Sequence, residues 1–279
     1  KRWISLGILN FQPAEFAKLA LTCFLASYFT RRYDEVRGKK FSAAKPFIVM
    51  GVLGVFLLAQ PDLGSTVVLF VITFGMLFIV GANFWQFILL IGTGILLFVW
   101  LVLSASYRLK RFTGFLEPFK DPYGTGFQLT NSLMAFGRGE ISGEGLGNSI
   151  QKLDYLPEAH TDFIMAIIGE EFGFIGILVV VILLGLLIFR AMKIGRESLM
   201  LEQRFRGFFA LGISFWIFFQ GFVNLGMALG MLPTKGLTFP LVSYGGSSII
   251  IMSATVGILL RIDHENRLQR GGQARLRDD

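Results

Sequence analysis

Between Lys45 and Arg108 the chain carries one formal charge, Asp62, and the runs from Gly207 to Thr234 and from Gly236 to Leu260 carry none. Stretches of this length suffice for helices crossing ~30 Å of hydrocarbon. Inside hydrocarbon every backbone N–H and C=O must find a partner within the protein, which leaves helices or a closed barrel. The runs lack the period-two alternation of barrel strands, so helices are the reading that closes those hydrogen bonds. Composition agrees: 53% of 279 residues are hydrophobic, 16% are charged, and the mean hydropathy is +0.63. Ordinary soluble domains are more polar. An all-α, polytopic helical membrane protein follows.

Seven spans are predicted: Pro13 to Phe29, Pro46 to Ala59, Leu63 to Val80, Phe84 to Leu103, Asp162 to Phe189, Gly207 to Leu229 and Ser247 to Leu260. The connections "RRYDEVRGKK", "RAMKIGRESLMLEQRFR" and "RIDHENRLQRGGQARLR" fall on one side, which the bias of Lys and Arg assigns to the cytoplasm. Residues 104–161 then form a large loop outside, and 263–279 a cytoplasmic tail. The net charge of +7 comes from short loops flanking apolar runs, so nucleic acid is a poor reading of it. One cysteine, Cys23, gives neither a disulfide framework nor metal-ligand spacing. The chain opens "KRWISLG" without a methionine, and we expect it to be the carboxy-terminal portion of a longer protein, with all of 1–279 forming one membrane domain.

Two local features qualify the spans. The second is short and runs into "QPDLGS", where a broken or re-entrant helix is one reading; "QPAE" at Gln12 repeats the Gln-Pro pair, as helix-start chemistry or a weak internal repeat. Gly226 and Gly230 have the spacing of close helix packing.

The outer segment holds Arg108, Lys110, Arg111, Lys120, Arg138 and Lys152 on the face that should be poor in cations. Its stretch "DPYGTGFQLTNSLMAFGRGEISGEGLGNS" contains seven glycines. An anionic ligand approached closely by backbone is one explanation, and a solvated basic loop is the other. The spacing of Leu129, Leu133 and Phe136 predicts a helix lying along the membrane surface.

"LPEAHTDFIMAIIGEE" brings Glu158, His160, Asp162, Glu170 and Glu171 to the start of the fifth span. Pro157 suits a first helical turn and Thr161 a cap, so Asp162 is expected at the outer mouth of a helix whose dipole favours its ionised form. Partial desolvation opposes that, and the balance can produce a usable base; helix-start chemistry alone also accounts for Glu158 and Asp162. Glu170 and Glu171 fall ~12 Å deeper and, at ~100° per residue, on different faces. Carboxylates at such depth are paired or functional, and interhelical hydrogen-bonding or ion-pairing is favoured for them.

In "MLPTKGLTFPLVSYGGSS", Lys235 is the only charge between Arg206 and Arg261. Ser243, Tyr244, Ser247 and Ser248 add hydroxyls at the start of the last span, where an amino end suits an anion. A lysine snorkelling toward headgroups is the plainer alternative. One carboxylate, one lysine and a helix amino end fit transfer from a lipid-linked diphosphate: the reaction needs a base for the acceptor hydroxyl and cations for the leaving group. A hydrolase's carboxylate pair, Asp162 with Glu158, is conceivable but of unknown separation.

The motifs "RWISLG" with "QPAE", "AQPDLGS", "MAFGRGE", "GLGNSIQKLDYLPEAHTDFIMAIIGEE" and "LPTKGLTFPLVSYGGSS" resemble the SEDS family (shape, elongation, division, sporulation) along almost the whole chain. These are polytopic glycosyltransferases of bacterial cell-wall synthesis, and the division branch is the more similar. The resemblance implies ten spans with both termini cytoplasmic, of which this chain would lack the first three. It implies polymerisation of lipid II into glycan strands, with inversion, at the periplasmic face of the inner membrane in the division septum. A class B penicillin-binding protein and divisome regulators would be the protein partners.

Carried onto this chain, Asp162 of "HTDF" would be the catalytic base, and Lys235 of "PTKG" would act with Arg138 on the departing undecaprenyl diphosphate. Arg2 lies in the "RW" motif, and Glu158, His160, Ser243 and Tyr244 would line the substrate. Glu170 and Glu171 would serve structure or regulation. No cofactor is implied with certainty; a divalent cation, Mg2+ or Mn2+, stays open, although no cluster of metal-spaced ligands is present. Two rivals stand: a carrier moving lipid II across the bilayer, and a scaffold that only recruits the transpeptidase.

Overall fold

The computed structural model describes residues 3–5, 10–38, 44–82, 84–103, 114–234 and 236–278. Arg2, Lys235, Arg108, Lys110 and Arg111 lie outside the described residues. Helices stand at all seven expected places. A two-residue antiparallel pair precedes them, β1 (Ile4–Ser5) with β2 (Asn10–Phe11), Ile4 opposite Phe11.

Helix α1 (Pro13–Arg31) begins as its sequence dictates, with Gln12 extended at the cap, Pro13 in the first turn and Glu15 beside the positive end of the dipole. A short α2 (Tyr33–Gly38) follows. Helices α3 (Ala44–Ala59) and α4 (Leu63–Val80) are separate and joined by a tight turn, so "QPDLGS" closes one helix and opens another. Asp62 accepts from the Ser65 amide at 3.0 Å and the Ser65 hydroxyl at 2.8 Å. The one charge in that apolar run is therefore a helix cap.

Next come α5 (Phe84–Leu103), α6 (Phe127–Gly139), α7 (Ile164–Met200), α8 (Arg204–Ala228) and α9 (Gly246–Asp278). Among the described residues, α4, α7, α8 and the Gly246–Gly271 part of α9 are long and apolar enough to cross a membrane. The last span and the expected tail form one helix.

The chain divides into two compact units. The first comprises Lys1–Ile91, Leu186–Phe218 and Gly246–Asp279. In it α1 packs on α3, α4 and α9, around buried Leu21, Leu25, Phe29, Leu69, Ile72 and Trp216. Lys18 is fully buried there, paired with Glu15 at 2.8 Å, its ammonium 5.4 Å from the centre of the Trp216 ring. The cationic end of α9 packs on the end of α7 through Arg190 to Asp263 at 3.3 Å, Arg270 to Glu197 at 3.3 Å, and Asn266 to Ser198 at 2.8 Å.

The second unit comprises Gly92–Gly185 and Phe219–Gly245. Its core gathers Ala135 of α6, Leu156, Ala159 and Phe163 of the following turns, Ala166 and Ile167 of α7, and Ala228 of α8. The predicted surface helix exists as α6, and one face of it is built into this core. Gly139 at its end lies against the backbone of Gly169. Gly226 and Gly230 do not form a packing seam: α8 ends at Ala228, Gly230 turns the chain with φ 69°, and Gly226 faces Leu232. The glycine spacing marks a helix end because the chain doubles back there.

Helix α7 breaks at Gly173, whose φ and ψ are 64° and −162°. A regular helix would bond the amides of Phe174 and Ile175 to the carbonyls of Glu170 and Glu171. Instead those amides donate to the carbonyls of Glu140 and Ile141, at 2.9 and 3.2 Å. The Glu170 and Glu171 carbonyls accept from the amides of Glu144 and Gly145, each at 3.0 Å. Residues 140–145 are thus inserted into the break, and two helical bonds are exchanged for four to the inserted segment.

Candidate functional site

Asp162 lies in a run of turns ahead of α7, which starts at Ile164. Pro157 and Thr161 belong to those turns, not to a first helical turn or its cap. The reason is Glu158, which adopts a left-handed φ of 57° and whose carbonyl accepts from the amides of Thr161 at 3.1 Å and Phe163 at 3.2 Å. The chain is folded back before it becomes helical. The Glu158 carboxylate accepts from the Thr161 hydroxyl at 2.6 Å, so it is turned onto its own loop.

The half-buried Asp162 lies against the second motif. Gly236 lies so close that a Cβ placed on it would stand 3.0 Å from Asp162 Oδ2. Gly236 is the chain neighbour of Lys235, so the structure brings the "HTDF" and "PTKG" segments together. Tyr244 donates its amide to the His160 carbonyl at 2.8 Å, and the Ser243 hydroxyl donates to the Thr161 carbonyl at 2.6 Å. Ser243 also accepts from the amide of Phe239 at 2.6 Å and is buried. Its hydroxyl is therefore spent on joining the two segments. The side chains of His160 and Tyr244 are exposed beside it.

Three of the outer cations are held by acids. Lys120 pairs with Glu117 at 2.9 Å, Arg138 with Glu170 at 3.2 Å and Glu144 at 3.6 Å, and Lys152 with Glu171 at 2.6 Å. Glu170 is fully buried. Its carboxylate also accepts from the hydroxyl of Ser149 and from the amides of Ile150 at 3.1 Å and Gln151 at 3.2 Å. The partners of the two glutamates are thus the segment 149–152 and Arg138 at the end of α6. Glu117 and Lys120 stand in residues 104–161, apart from the predicted spans, and their mutual hydrogen bond holds the carboxyl below its ordinary pKa and the ammonium above its own.

Two residues that sequence reasoning passed over complete the site. On α8, Asn224 donates through Nδ2 to the carbonyls of Asp162 at 2.8 Å and Leu237 at 2.6 Å. One turn earlier, Gln220 Nε2 donates to the carbonyl of Thr238 at 2.9 Å and its hydroxyl at 3.2 Å. The available signal was two amides at i and i+4 within an uncharged span, a spacing that puts both on one helix face. Among the described residues no three His, Cys, Asp or Glu side chains gather as metal ligands, so a divalent cation would find no protein-built cage among them.

The family model of the cell cycle proteins FtsW, RodA and SpoVE matches residues 1–268. The chain is 88% identical, over its whole length, to a protein of Haemophilus influenzae named probable peptidoglycan glycosyltransferase FtsW, of which it spans 71%. A protein of Escherichia coli O157:H7 with the same name is 58% identical across 96% of this chain and 65% of its own. Among solved structures, one chain of a peptidoglycan synthase complex that coordinates polymerization and crosslinking superposes with a TM-score of 0.77. It is 30% identical and covers 95% of this chain and 74% of its own. The rod shape determining protein RodA of Thermus thermophilus gives 0.64 at 28% identity, covering 95% and 70%.

Proposed function

Because the chain belongs to the FtsW, RodA and SpoVE family of cell cycle proteins, we propose that it is a peptidoglycan glycosyltransferase that extends glycan strands from lipid II, with Asp162 as the base. The observation that carries this reading is the contact of Gly236 with the Asp162 carboxylate, which unites the acidic motif with the segment bearing Lys235.

In the reaction, Asp162 takes the proton of the acceptor sugar's hydroxyl as that oxygen attacks the anomeric carbon of the donor. One carbon–oxygen bond forms, the bond from that carbon to the diphosphate breaks, and undecaprenyl diphosphate departs with inversion. Lys235 compensates the charge that develops on the diphosphate, an effect largest in a water-poor site. His160 and Tyr244 flank the sugar. Arg138, engaged by Glu170 and Glu144, organises the loop beneath, as do Glu170 and Glu171. Residues 104–161 and 229–245 face the periplasm, and 263–279 the cytoplasm. The partner is a class B penicillin-binding protein, in line with the two activities named for the synthase complex, with divisome regulators around them.

The experiment is polymerisation of purified lipid II by the full-length protein with its transpeptidase partner, wild type against Asp162→Asn. General-base assistance is worth about 10²–10⁴-fold, so product should fall by at least about 100-fold while lipid II binding persists. Undiminished product would remove the base role and return the lipid carrier and the scaffold to contention.

A further inference from the structure

We infer that Asn224 is a positioning residue for the reaction, holding the Asp162 turn and the Lys235 segment in register from one point on α8; this rests on the reading of Asp162 as base. Asn224 is fully buried, and its amide nitrogen donates to the carbonyls of Asp162 and Leu237. These carbonyls belong to the residue carrying the proposed base and to the second residue after Lys235. The side chain therefore ties two loops that are 75 positions apart in the chain to one another through a rigid helix.

The orientation of the amide is fixed by its surroundings. Exchanging its oxygen and nitrogen would set Oδ1 against two carbonyl oxygens, so Nδ2 must face them. The consequence is that, among the described residues, Oδ1 is buried with no hydrogen-bond partner. A side chain that served packing alone would be better as leucine, of similar volume and with no polar atom to orphan. What the amide supplies, and leucine cannot, is two donors aimed at the two site segments. Gln220, one turn away on the same face, donates to Thr238 and continues the seam.

Placement of this kind acts on rate. A misplacement of ~1 Å of a reacting group costs on the order of 100-fold, because the near-attack geometry is lost while binding contacts elsewhere are kept. Removing the two donors should therefore lower kcat by about 10–100-fold and leave the KM for lipid II within about threefold.

The test uses the full-length protein with its partner and purified lipid II, comparing wild type, Asn224→Leu, Asn224→Asp and Asp162→Asn. The expected result for Asn224→Leu is the loss of kcat just given, counted per folded protein, beside a lowered thermal midpoint because the Asp162 and Leu237 carbonyls lose their donor. Asn224→Asp can donate only when its carboxyl is protonated, and then only one bond, so its activity relative to wild type should rise as pH falls from 8 toward 5, over a range set by a carboxylate facing two carbonyls. A wild-type kcat in Asn224→Leu overturns the inference. So does loss of activity in both Asn224 variants in proportion to lost folded protein with no change of the pH profile, which is what a merely structural residue would give. If Asp162→Asn keeps full product, the reading of the base fails on its own, whatever the Asn224 variants do.

Discussion

The hydroxyl of Ser243 donates to the main-chain oxygen of Thr161 at 2.6 Å and accepts from the amide of Phe239 at 2.6 Å. One buried oxygen thereby joins the turn next to Asp162 to the segment after Lys235. Ser243→Ala leaves both of those backbone groups without a partner, at a cost of ~1–3 kcal/mol. Thermal unfolding in detergent should register that loss, whereas the exposed Tyr244, changed to Phe, should leave the unfolding midpoint where it is.

Gly236→Ala sets a methyl group against the Asp162 carboxylate, with 3.0 Å between Cβ and Oδ2. The carboxylate must yield by a few tenths of an ångström. Polymerisation should slow by about tenfold with the protein still folded, read as kcat at saturating lipid II beside the thermal midpoint.

Glu170→Gln keeps the shape of a fully buried side chain that Arg138, Ser149 and two amides engage. Losing its charge should cost about 2–3 kcal/mol, toward the low side for breaking a buried pair because Arg138 reaches water. Limited proteolysis should then cut between residues 144 and 152 faster than in the wild type, because Glu170 no longer holds Ser149, Ile150 and Gln151 as firmly.

Gly173→Ala and Gly143→Ala should both fail to give folded protein. Each glycine has positive φ, and an added Cβ would meet backbone atoms within 2.4 and 2.2 Å. Gly185→Ala, in the same helix as Gly173 with nothing within 4 Å of its Cβ position, is the matched control. Size-exclusion profiles of the three variants decide the matter.

The Glu117 to Lys120 pair is held by a carboxyl whose pKa is lowered, chiefly by the hydrogen bond to Lys120. Its contribution is present above the unfolded value and disappears as pH falls through the folded one. Both groups sit in water, where such pairs contribute little. Lys120→Ala should therefore raise the Glu117 pKa, followed by carboxyl NMR, without moving the unfolding midpoint at pH 7.

The helices were legible because hydrocarbon demands long uncharged runs, and the ends of α4 and α5 fall where the sequence places them. The Asp162 motif was legible as acids crowded at a span's mouth. What escaped was everything decided by a distant partner. The cations of residues 104–161 read as ligand binders or as a solvated basic loop because the acids of Arg138 and Lys152, namely Glu144, Glu170 and Glu171, lie up to 32 positions away. Asn224 carried no charge to draw notice, Ser243 read as a hydroxyl lining the substrate, and their bonds reach 62 and 82 positions along the chain. The break in α7 gave no sign beyond one glycine, since the segment that fills it precedes the helix.

That order of synthesis matters for how the chain is made. Residues 140–145 leave the ribosome before Glu170 to Ile175, so the amides and carbonyls that complete the interrupted helix are waiting when it emerges. A helix delivered to the bilayer with four backbone groups unpaired would be held back by the cost of each. Here the missing rungs are supplied by a segment already in place, and separating the two, by cutting the chain between 145 and 160 and expressing the pieces apart, should leave the later piece poorly inserted.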